Sequence, residues 1–197
     1  MRKKLPILVA VLLLMSGCAV KTLPPVKRYS IEQTVRLDKT YSVKDCDSFG
    51  VEFPQSDGEI MSKNMIYVRG FEKNRYYFSK WFETPNTMIS RLLYSALNSS
   101  KICKNIYYTT DNSDVDYVLH SKILEFDQVF DQNRSYGVVN MVFYITNKSG
   151  AIVSQKDFYN KTASLSNDAK GGVVSLNESS QKVIKKAIEW IYKTLSK

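Results

Sequence analysis

The chain has 197 residues, and 28 lysines and arginines against 19 acidic residues give it a formal net charge of +9. This length accommodates one domain with a sizeable hydrophobic core and excludes an assembly of several large domains. A basic balance is typical of chains that bind nucleic acid, an anionic membrane or an acidic partner, and also of chains in which scattered lysines only keep the protein soluble.

The first 17 residues are organised like a secretory signal. Three basic residues, Arg2 to Lys4, precede an apolar run from Leu5 to Met15, which is too short to cross a bilayer because a spanning helix needs about 20 residues. Residues 14–18, Leu-Met-Ser-Gly-Cys, resemble a bacterial lipobox. The resemblance implies cleavage after residue 17 and a diacylglycerol thioether on Cys18. The alternative is an unlipidated secretory signal that has a cysteine near its end.

An acylated Cys18 would tether the rest of the chain to a membrane surface. Ala19 then occupies the second position of the mature chain, where Asp retains lipoproteins at the inner membrane of enteric bacteria. The resemblance therefore implies sorting to the outer membrane, facing the periplasm. Loss of residues 1–17 removes three basic residues and lowers the net charge from +9 to +6. Because the signal-like segment predicts export, we predict no nucleic-acid partner, and solubility or anionic lipid head groups remain as explanations of the charge.

The lipidated N-terminus, residues 18–27, contains Pro24-Pro25 and predicts an extended tether that leads into a single domain at residues 28–197. At full stretch, residues 19–27 would span roughly 30 Å. Alternating or aromatic-rich segments in the first part of the domain predict four strands, at Tyr29–Val35, Phe49–Phe53, Met65–Val68 and Arg75–Phe82.

Thr84 as N-cap and Pro85 at the first helical position predict a helix that ends near Asn98-Ser99. Its apolar stripe recurs every three or four residues and consists of Met88, Ile89, Leu92, Leu93, Ala96 and Leu97. Further strands are predicted at Ile106–Thr109, Asp116–Phe130, Tyr136–Asn147 and Ala151–Thr162. The long strand that follows Asp116 alternates imperfectly, which predicts a bulge or bend. Lys148–Gly150 suit the turn of a hairpin between the last two strands.

A polar loop is predicted at Ser164–Gly172, with Gly171-Gly172 as a flexible entry to the final helix. That helix is expected from about Asn177 to Leu195, with Ser175 and Glu178 as a capping box. The order of strands, helix, strands and helix predicts an α+β fold, a mainly antiparallel sheet with two amphipathic helices packed on one face.

Residues suited to catalysis are scarce. His120 is the single histidine of the chain and stands alone in a predicted strand, where it is expected to be a packed or half-exposed side chain and not a general base. Asp111, Asp114 and Asp116 lack the glycine and terminal glutamate of a calcium loop, and we expect a solvated turn. The sequence contains neither a Gly-x-Ser-x-Gly elbow nor a phosphate loop. These observations favour a binding or assembly role over an enzyme.

Two cysteines, Cys46 and Cys103, remain after Cys18 is assigned to the lipid, and an exported protein reaches a compartment where disulfides persist. A bond between them would stabilise the fold by roughly 4 kcal/mol in the chain-entropy model. The alternative is two separate buried thiols, because the sequence does not reveal the distance between their Cα atoms. Two cysteines without a nearby histidine do not form a zinc site, so we predict no metal and no cofactor other than the covalent lipid.

An aromatic stretch from Tyr76 to Phe82 is the candidate interaction face, with Tyr77 and Trp81 as its contact residues. Core packing at alternate positions would account for part of this stretch. A contiguous exposed aromatic patch would favour binding to lipid or protein.

These segments together resemble the family of ABC-type transport auxiliary lipoproteins. In that family a Tyr-x-Leu strand follows the lipidated cysteine, and this chain has Ile31 in place of the leucine. The matching segments run through the mature chain in the order of the family: Cys18, Tyr29–Ile31, Ile66–Arg69, Tyr76–Trp81 with Pro85 and Met88, Asp116–Leu119 with Phe126, and the closing helix. Cys46 and Cys103 are not part of the family pattern.

The resemblance implies a non-enzymatic, periplasm-facing lipoprotein of a lipid-transport ABC system, such as the paraquat-inducible Pqi system. Its expected partners are a mammalian-cell-entry (MCE) domain protein and the ABC permease and ATPase, which it would dock at the membrane bearing the anchor. One alternative is a scaffolding lipoprotein of another envelope assembly or secretion complex, since small tethered α+β domains serve many of these. Another is a periplasmic lipid carrier with an apolar cavity of its own. The sequence leaves a homo-oligomer open.

Overall fold

The computed structural model describes residues 22–109 and 114–196. The predicted signal, Cys18 and Asp111 lie outside these residues. In the part of the chain that is described, nine strands form one sheet and two α-helices share a hydrophobic core with one face of that sheet. The predicted α+β class and its two amphipathic helices are confirmed.

The strands are numbered in chain order: β1 Lys27–Tyr29, β2 Ser48–Glu52, β3 Gln55–Ser56, β4 Asn64–Arg69, β5 Glu72–Trp81, β6 Asn105–Thr109, β7 Tyr117–Asp131, β8 Arg134–Asn147 and β9 Ile152–Ala163. The helices are α1, Pro85–Ser100, and α2, Ala169–Leu195. A 3₁₀ turn, Gly58–Met61, precedes β4. The first strand shares only Tyr29 with the strand predicted at Tyr29–Val35. Residues 30–47 run without regular secondary structure but still place Ile31 and Val35 in the core.

Strand β7 is the axis of the sheet. One of its edges pairs antiparallel with β8 along its whole length, and β8 pairs antiparallel with β9. Its other edge pairs in parallel with β2, β3 and β4 in succession. Beyond these, β6 extends the sheet from β2, whereas β5 and then β1 extend it from β4.

The sheet is mixed, and most of its paired residues are antiparallel, as the sequence predicts. Of the eight strand pairings among the described residues, five short ones are parallel, whereas the three antiparallel ones include the long pairings of β8 with β7 and β9. Hairpin turns signal antiparallel partners that are adjacent in sequence. Parallel partners need a crossover connection, and the turn chemistry of a sequence does not identify them.

Two local predictions in the second half of the sheet are confirmed. The register between β7 and β8 shifts between Ile123 and Glu125, which is the predicted bulge. The turn at Lys148–Gly150 joins β8 to β9, and Gly150 has φ of 80°, in the left-handed region that glycine tolerates best. The Asn147 side-chain oxygen closes this turn by accepting the backbone N–H of Ala151 at 3.0 Å.

Helix α1 begins where the sequence predicts. The hydroxyl oxygen of Thr84 accepts the backbone N–H of Thr87, and Pro85 occupies the first turn. The whole predicted stripe is buried in the core, at Met88, Ile89, Leu92, Leu93, Ala96 and Leu97. The chain leaves the helix through Lys101, whose φ of 57° is left-handed.

Helix α2 begins about two turns before the predicted start. Its N-cap is Asp168, whose carboxylate accepts the backbone N–H of Gly171 at 2.8 Å. Ser175 is buried inside the helix, so the predicted capping box is wrong. Gly171 and Gly172 lie in the first turn and are not a flexible entry. A Cβ on Gly172 would collide with the side chain of Gln128, so the glycine allows the helix to approach β7 closely, at a cost in helix propensity.

Candidate interaction surface

A large bulge divides the aromatic stretch of β5. Asn64 of β4 is opposite Lys80, whereas Ile66 is opposite Arg75, so two steps along β4 correspond to five along β5. The extra residues in β5 interrupt the strict alternation of sides that a regular strand would show. As a result, Tyr77 and Trp81, which are four residues apart, do not lie on one face.

Trp81 is not a surface residue, which corrects the prediction that it contacts a partner. Only 2% of it is exposed, and its indole packs edge-on against Phe126 with 5.5 Å between ring centroids. Tyr77 is 85% exposed and remains a candidate contact residue. Phe78 and Phe82, which belong to the same aromatic stretch, are also exposed.

Tyr76 lies within the bulge and packs against the core. Its hydroxyl donates to the side-chain oxygen of Gln128 at 2.8 Å, and its ring lies 4.9 Å from that of Tyr67. Burial is the main cause that raises the pKa of Tyr76 to about 12. The amide nitrogen of Gln128 donates to Ser135 at 2.8 Å. Tyr76 is therefore part of a polar network between β5, β7 and β8.

His120 lies on the sheet face that does not carry the helices. Its Nδ1 is 2.7 Å from a carboxylate oxygen of Glu52, and its Nε2 is 2.9 Å from the hydroxyl of Thr146. The imidazole also stacks on Tyr144 at a centroid distance of 4.3 Å. A cavity of about 210 Å³ adjoins the cluster and is lined also by Gln55 and neighbouring polar side chains. The sequence does not reveal this cluster, because its members come from three strands.

The cluster has the group order of a hydroxyl–imidazole–carboxylate relay, as in nucleophilic hydrolases. Such a relay also needs backbone or side-chain donors aimed at the developing oxyanion. Thr146 sits between Val118 and Ile152 in a strand that is paired on both edges, so the surrounding N–H groups serve the sheet. The geometry supports a structural tie between β2, β7 and β8, as expected for a packed histidine.

Asp116 has a more specific role than the solvated turn that the sequence suggested. One carboxylate oxygen accepts the backbone N–H groups of Asp47 and Ser48, each at 2.9 Å, and the Ser48 hydroxyl at 3.1 Å. The N–H of Ser48 is the main reason that the pKa of Asp116 is below its ordinary value. Asp114 is exposed and pairs with Lys148 at the surface. Within residues 22–109 and 114–196, no group of three acidic, histidine or cysteine side chains is arranged to hold a metal ion.

Cys46 and Cys103 form a disulfide in the structure, with their Cα atoms 5.0 Å apart. This is the first of the two alternatives that the sequence allowed. Both residues are buried, and the N–H of Lys104 donates to the carbonyl of Cys46 at 3.1 Å. The bond joins the segment before β2 to the segment after α1.

Polar side chains line the surface cavities that bear on the lipid-carrier alternative. A cavity of about 630 Å³ is bordered by Glu32, Arg36 and Lys185, among other polar residues. Another, of about 350 Å³, is bordered by Glu59 and Lys73 in the β4–β5 region. The first has no apolar residue in its lining, and the second has Ile66 and two tyrosines among charged and polar side chains, so neither is the predominantly apolar pocket that acyl chains require. In the described part of the chain, no helix combines the length and apolarity that crossing a bilayer requires.

No protein-family model and no curated protein matches the sequence. Solved structures with the same fold include the following three. Protein XCC0632 from Xanthomonas campestris, a DUF330 protein, superposes with a TM-score of 0.77 at 15% identity, over 86% of this chain and 96% of that one. An uncharacterized protein gives 0.68 at 11% identity, over 85% and 99%. A point variant of the PelC dodecamer from Paraburkholderia phytofirmans gives 0.52 at 13% identity, over 78% and 92%.

Proposed function

We propose that this protein is a non-catalytic lipoprotein that docks an ABC-type, MCE-associated lipid transport complex at the outer membrane. The observation that carries the proposal is the lipobox at residues 14–18 followed by a short Pro-containing tether. Two or three acyl chains on one residue hold a protein at a membrane far longer than a single chain does. A domain anchored in this way gives a transport complex a fixed position on one membrane.

The arrangement of the family-like segments supports the proposal. Tyr29 is in β1, the Ile66–Arg69 segment is in β4, and Tyr76–Trp81 are in β5 between them. Segments that are separated in the sequence thus form one continuous part of the sheet, which leads through Thr84 into α1.

The far end of the domain offers a surface for the MCE-domain protein or the permease. Phe71 is fully exposed in the turn between β4 and β5, and Leu165 is exposed in the loop before α2. Both adjoin the β7–β8 turn, since Arg69 is opposite Phe130 and the N–H of Ser164 donates to the carbonyl of Ser135. We assign the contact with the partner to these two exposed apolar side chains because they adjoin the same turn.

A pull-down from native membranes tests the proposal. We expect the Cys18-anchored protein to recover an MCE-domain protein or a transporter permease, and recovery of neither would contradict the docking role. The variant Cys18→Ser should accumulate as unprocessed precursor. The double variant Phe71→Ser with Leu165→Ser should remain at the membrane but no longer recover the partner. The control variant Ile152→Ser changes an exposed apolar residue elsewhere on the domain. It should remain at the membrane and still recover the partner.

The runner-up is a scaffolding lipoprotein of another envelope complex, which the same pull-down would reveal by recovering secretion or assembly components. Homo-oligomerisation belongs to either proposal, and the fold-related PelC protein is a dodecamer. Sedimentation of the detergent-solubilised protein tests it, and a strictly monomeric species at micromolar concentration would contradict it.

A further inference from the structure

Basic and aromatic side chains surround the point at which the tether enters the domain. Arg28 of β1 is directly opposite Lys80 of β5, and the N–H of Phe82 donates to the carbonyl of Tyr29 at 2.7 Å. Paired strands lie about 4.8 Å apart, so these side chains are neighbours. Val26 and Phe78 each lie two residues before one of the two cations. We name the set Val26, Arg28, Phe78, Lys80 and Phe82 the tether patch.

The tether patch is the solvent side of strands whose other side is in the core. Tyr29 and Trp81, also opposite each other, pack against the core, whereas Arg28 and Lys80 are exposed. The apolar members are exposed as well, Phe82 by 61%, Val26 by 44% and Phe78 by 42%. The core therefore does not account for these aromatic side chains.

The charge of this region is not compensated. Lys27 and Lys63 add to the two cations of the patch, and the carbonyl of Lys63 accepts the N–H of Trp81 at 2.8 Å. Within the described residues, none of these four cations forms an ion pair. The adjacent carboxylate of Glu83 is occupied by the guanidinium of Arg91.

A second carboxylate, that of Glu59, lies near the patch but is directed elsewhere. It accepts the side-chain amide of Asn64 at 2.9 Å. The positive charges that act on the Glu59 carboxylate are those of Arg75 and Lys73, which lie nearer the start of β5 than the patch does. The patch thus presents a net positive, partly aromatic surface.

We propose that the tether patch binds the head groups of anionic phospholipids in the leaflet that holds the anchor, so that the domain lies on the bilayer. The proposal rests on the proposed function only in requiring the lipid on Cys18. Lysine and arginine are attracted to an anionic membrane surface, and aromatic rings enter the interface beside them. We favour a membrane as the binding partner of the patch because the tether joins the lipid anchor to β1, which carries part of the patch.

The tether alone would not impose this orientation. Its reach of roughly 30 Å exceeds the Debye length of about 8 Å at physiological salt, so the domain would be free to leave the surface without the patch. Phe71 lies beyond the other end of β5, and Glu72 is about 17 Å from Lys80 because residues 72–80 of β5 are opposite only residues 64–69 of β4. With the patch on the bilayer, Phe71 and Leu165 would face the periplasm, where a transport complex could contact them.

Tryptophan quenching by brominated lipids tests the orientation. The mature lipidated protein is placed in vesicles of phosphatidylethanolamine and phosphatidylglycerol, carrying either Phe82→Trp or the control Phe71→Trp. Trp81 and Trp190 are buried and give the same background in both variants. We expect at least about two-fold stronger quenching for Phe82→Trp than for Phe71→Trp. The difference should shrink in phosphatidylcholine vesicles. It should also shrink when Arg28→Glu and Lys80→Glu are added to both variants. Because both substitutions are at exposed positions, the near-ultraviolet circular dichroism of the substituted protein should match that of its parent.

The outcomes separate the two proposals. If the protein floats with the vesicles but tryptophans at positions 82 and 71 are quenched equally, the patch does not bind the bilayer, although the lipid anchor is intact. If the protein does not float with the vesicles, the lipid anchor is absent, and both the proposed function and the binding of the patch to the bilayer are contradicted. If the difference in quenching between the two variants is the same in vesicles with phosphatidylglycerol and in phosphatidylcholine vesicles, anionic head groups have no role. A reporter at position 82 that is shielded only when an MCE-domain protein is added would assign the patch to a protein instead.

Discussion

Asp116 illustrates at the scale of single residues how a side chain that looks like part of a polar turn can organise a fold. Its carboxylate fixes the start of β2 through the N–H groups of Asp47 and Ser48. Gln128 has a similar place in the core, between Tyr76 and Ser135. Partners distant in sequence give these residues their roles, which composition and spacing do not express.

Replacement of Asp116 by Asn should lower the free energy of unfolding by about 1–2 kcal/mol at pH 7, because a neutral amide accepts the two N–H groups less strongly. The pKa of Asp116 is lowered in the folded state. Its contribution is therefore present above the unfolded pKa of about 4 and is lost as the pH falls through the lower folded pKa. Urea unfolding at pH 7, 5 and 3 should show wild type and variant converging in acid.

The control for this prediction is Asp114→Asn, in an exposed ion pair with Lys148. It should change the free energy of unfolding by less than about 0.5 kcal/mol. If both variants lose the same stability, the hydrogen bonds of Asp116 do not have the role assigned to them.

Two glycines allow a matched test of close packing. A Cβ on Gly137 would collide with the backbone of Ser175 and Leu176 in α2, whereas a Cβ on Gly58 would meet open space. Gly137→Ala should destabilise by about 3 kcal/mol, because the helix must move away from β8. Gly58→Ala should cost about 1 kcal/mol for its φ of 57°. Equal shifts in thermal unfolding midpoint would argue against close helix–sheet contact at Gly137.

At the scale of elements, one edge of β7 pairs in parallel with strands from earlier in the chain, and parallel strands cannot be joined by hairpin turns. The predicted segments for β2, β4, β5 and β6 overlap the observed strands within a few residues, because β-branched and aromatic residues mark them. Their parallel partners along β7 could not be predicted, since loop closure over long segments has no local signature. The start of α2 was missed for another reason. Gly171-Gly172 have low helix propensity, and only tertiary contacts explain them, because a Cβ would collide with Ser166 at the first position and with Gln128 at the second.

The disulfide should be a major stabiliser of the elements around α1. Replacing Cys46 and Cys103 together by Ala should lower the free energy of unfolding by roughly 2–5 kcal/mol, through greater freedom of the unfolded chain. Urea unfolding of the double variant should coincide with that of wild type in reductant. Reductant should leave the variant unchanged, and an identical midpoint for oxidised and reduced wild type would contradict the prediction.

At the scale of the whole molecule, protection is expected to decrease from the centre of the sheet towards the tether. Strand β8 is paired on both edges and covered by α2, whereas β1 has three residues and pairs only with the end of β5. Amides of β8 should exchange with deuterium at least about 100-fold more slowly than those of β1 at pH 7. Mass spectrometry of the solubilised mature protein measures this, and similar protection in both strands would show that β1 is an integral part of the core.

The sequence alone determined the local features of this protein. Thr84-Pro85 set the start of α1, the period of apolar residues set its buried face, and the turn at Lys148–Gly150 set a hairpin, because each depends on interactions between residues close in the chain. The motif at Cys18 likewise predicts an anchor from adjacent residues. Only the tertiary structure decided which distant residues meet. It buried Trp81 and exposed its neighbours, because strand pairing and bulges assign the sides of a strand through partners that are far away in sequence.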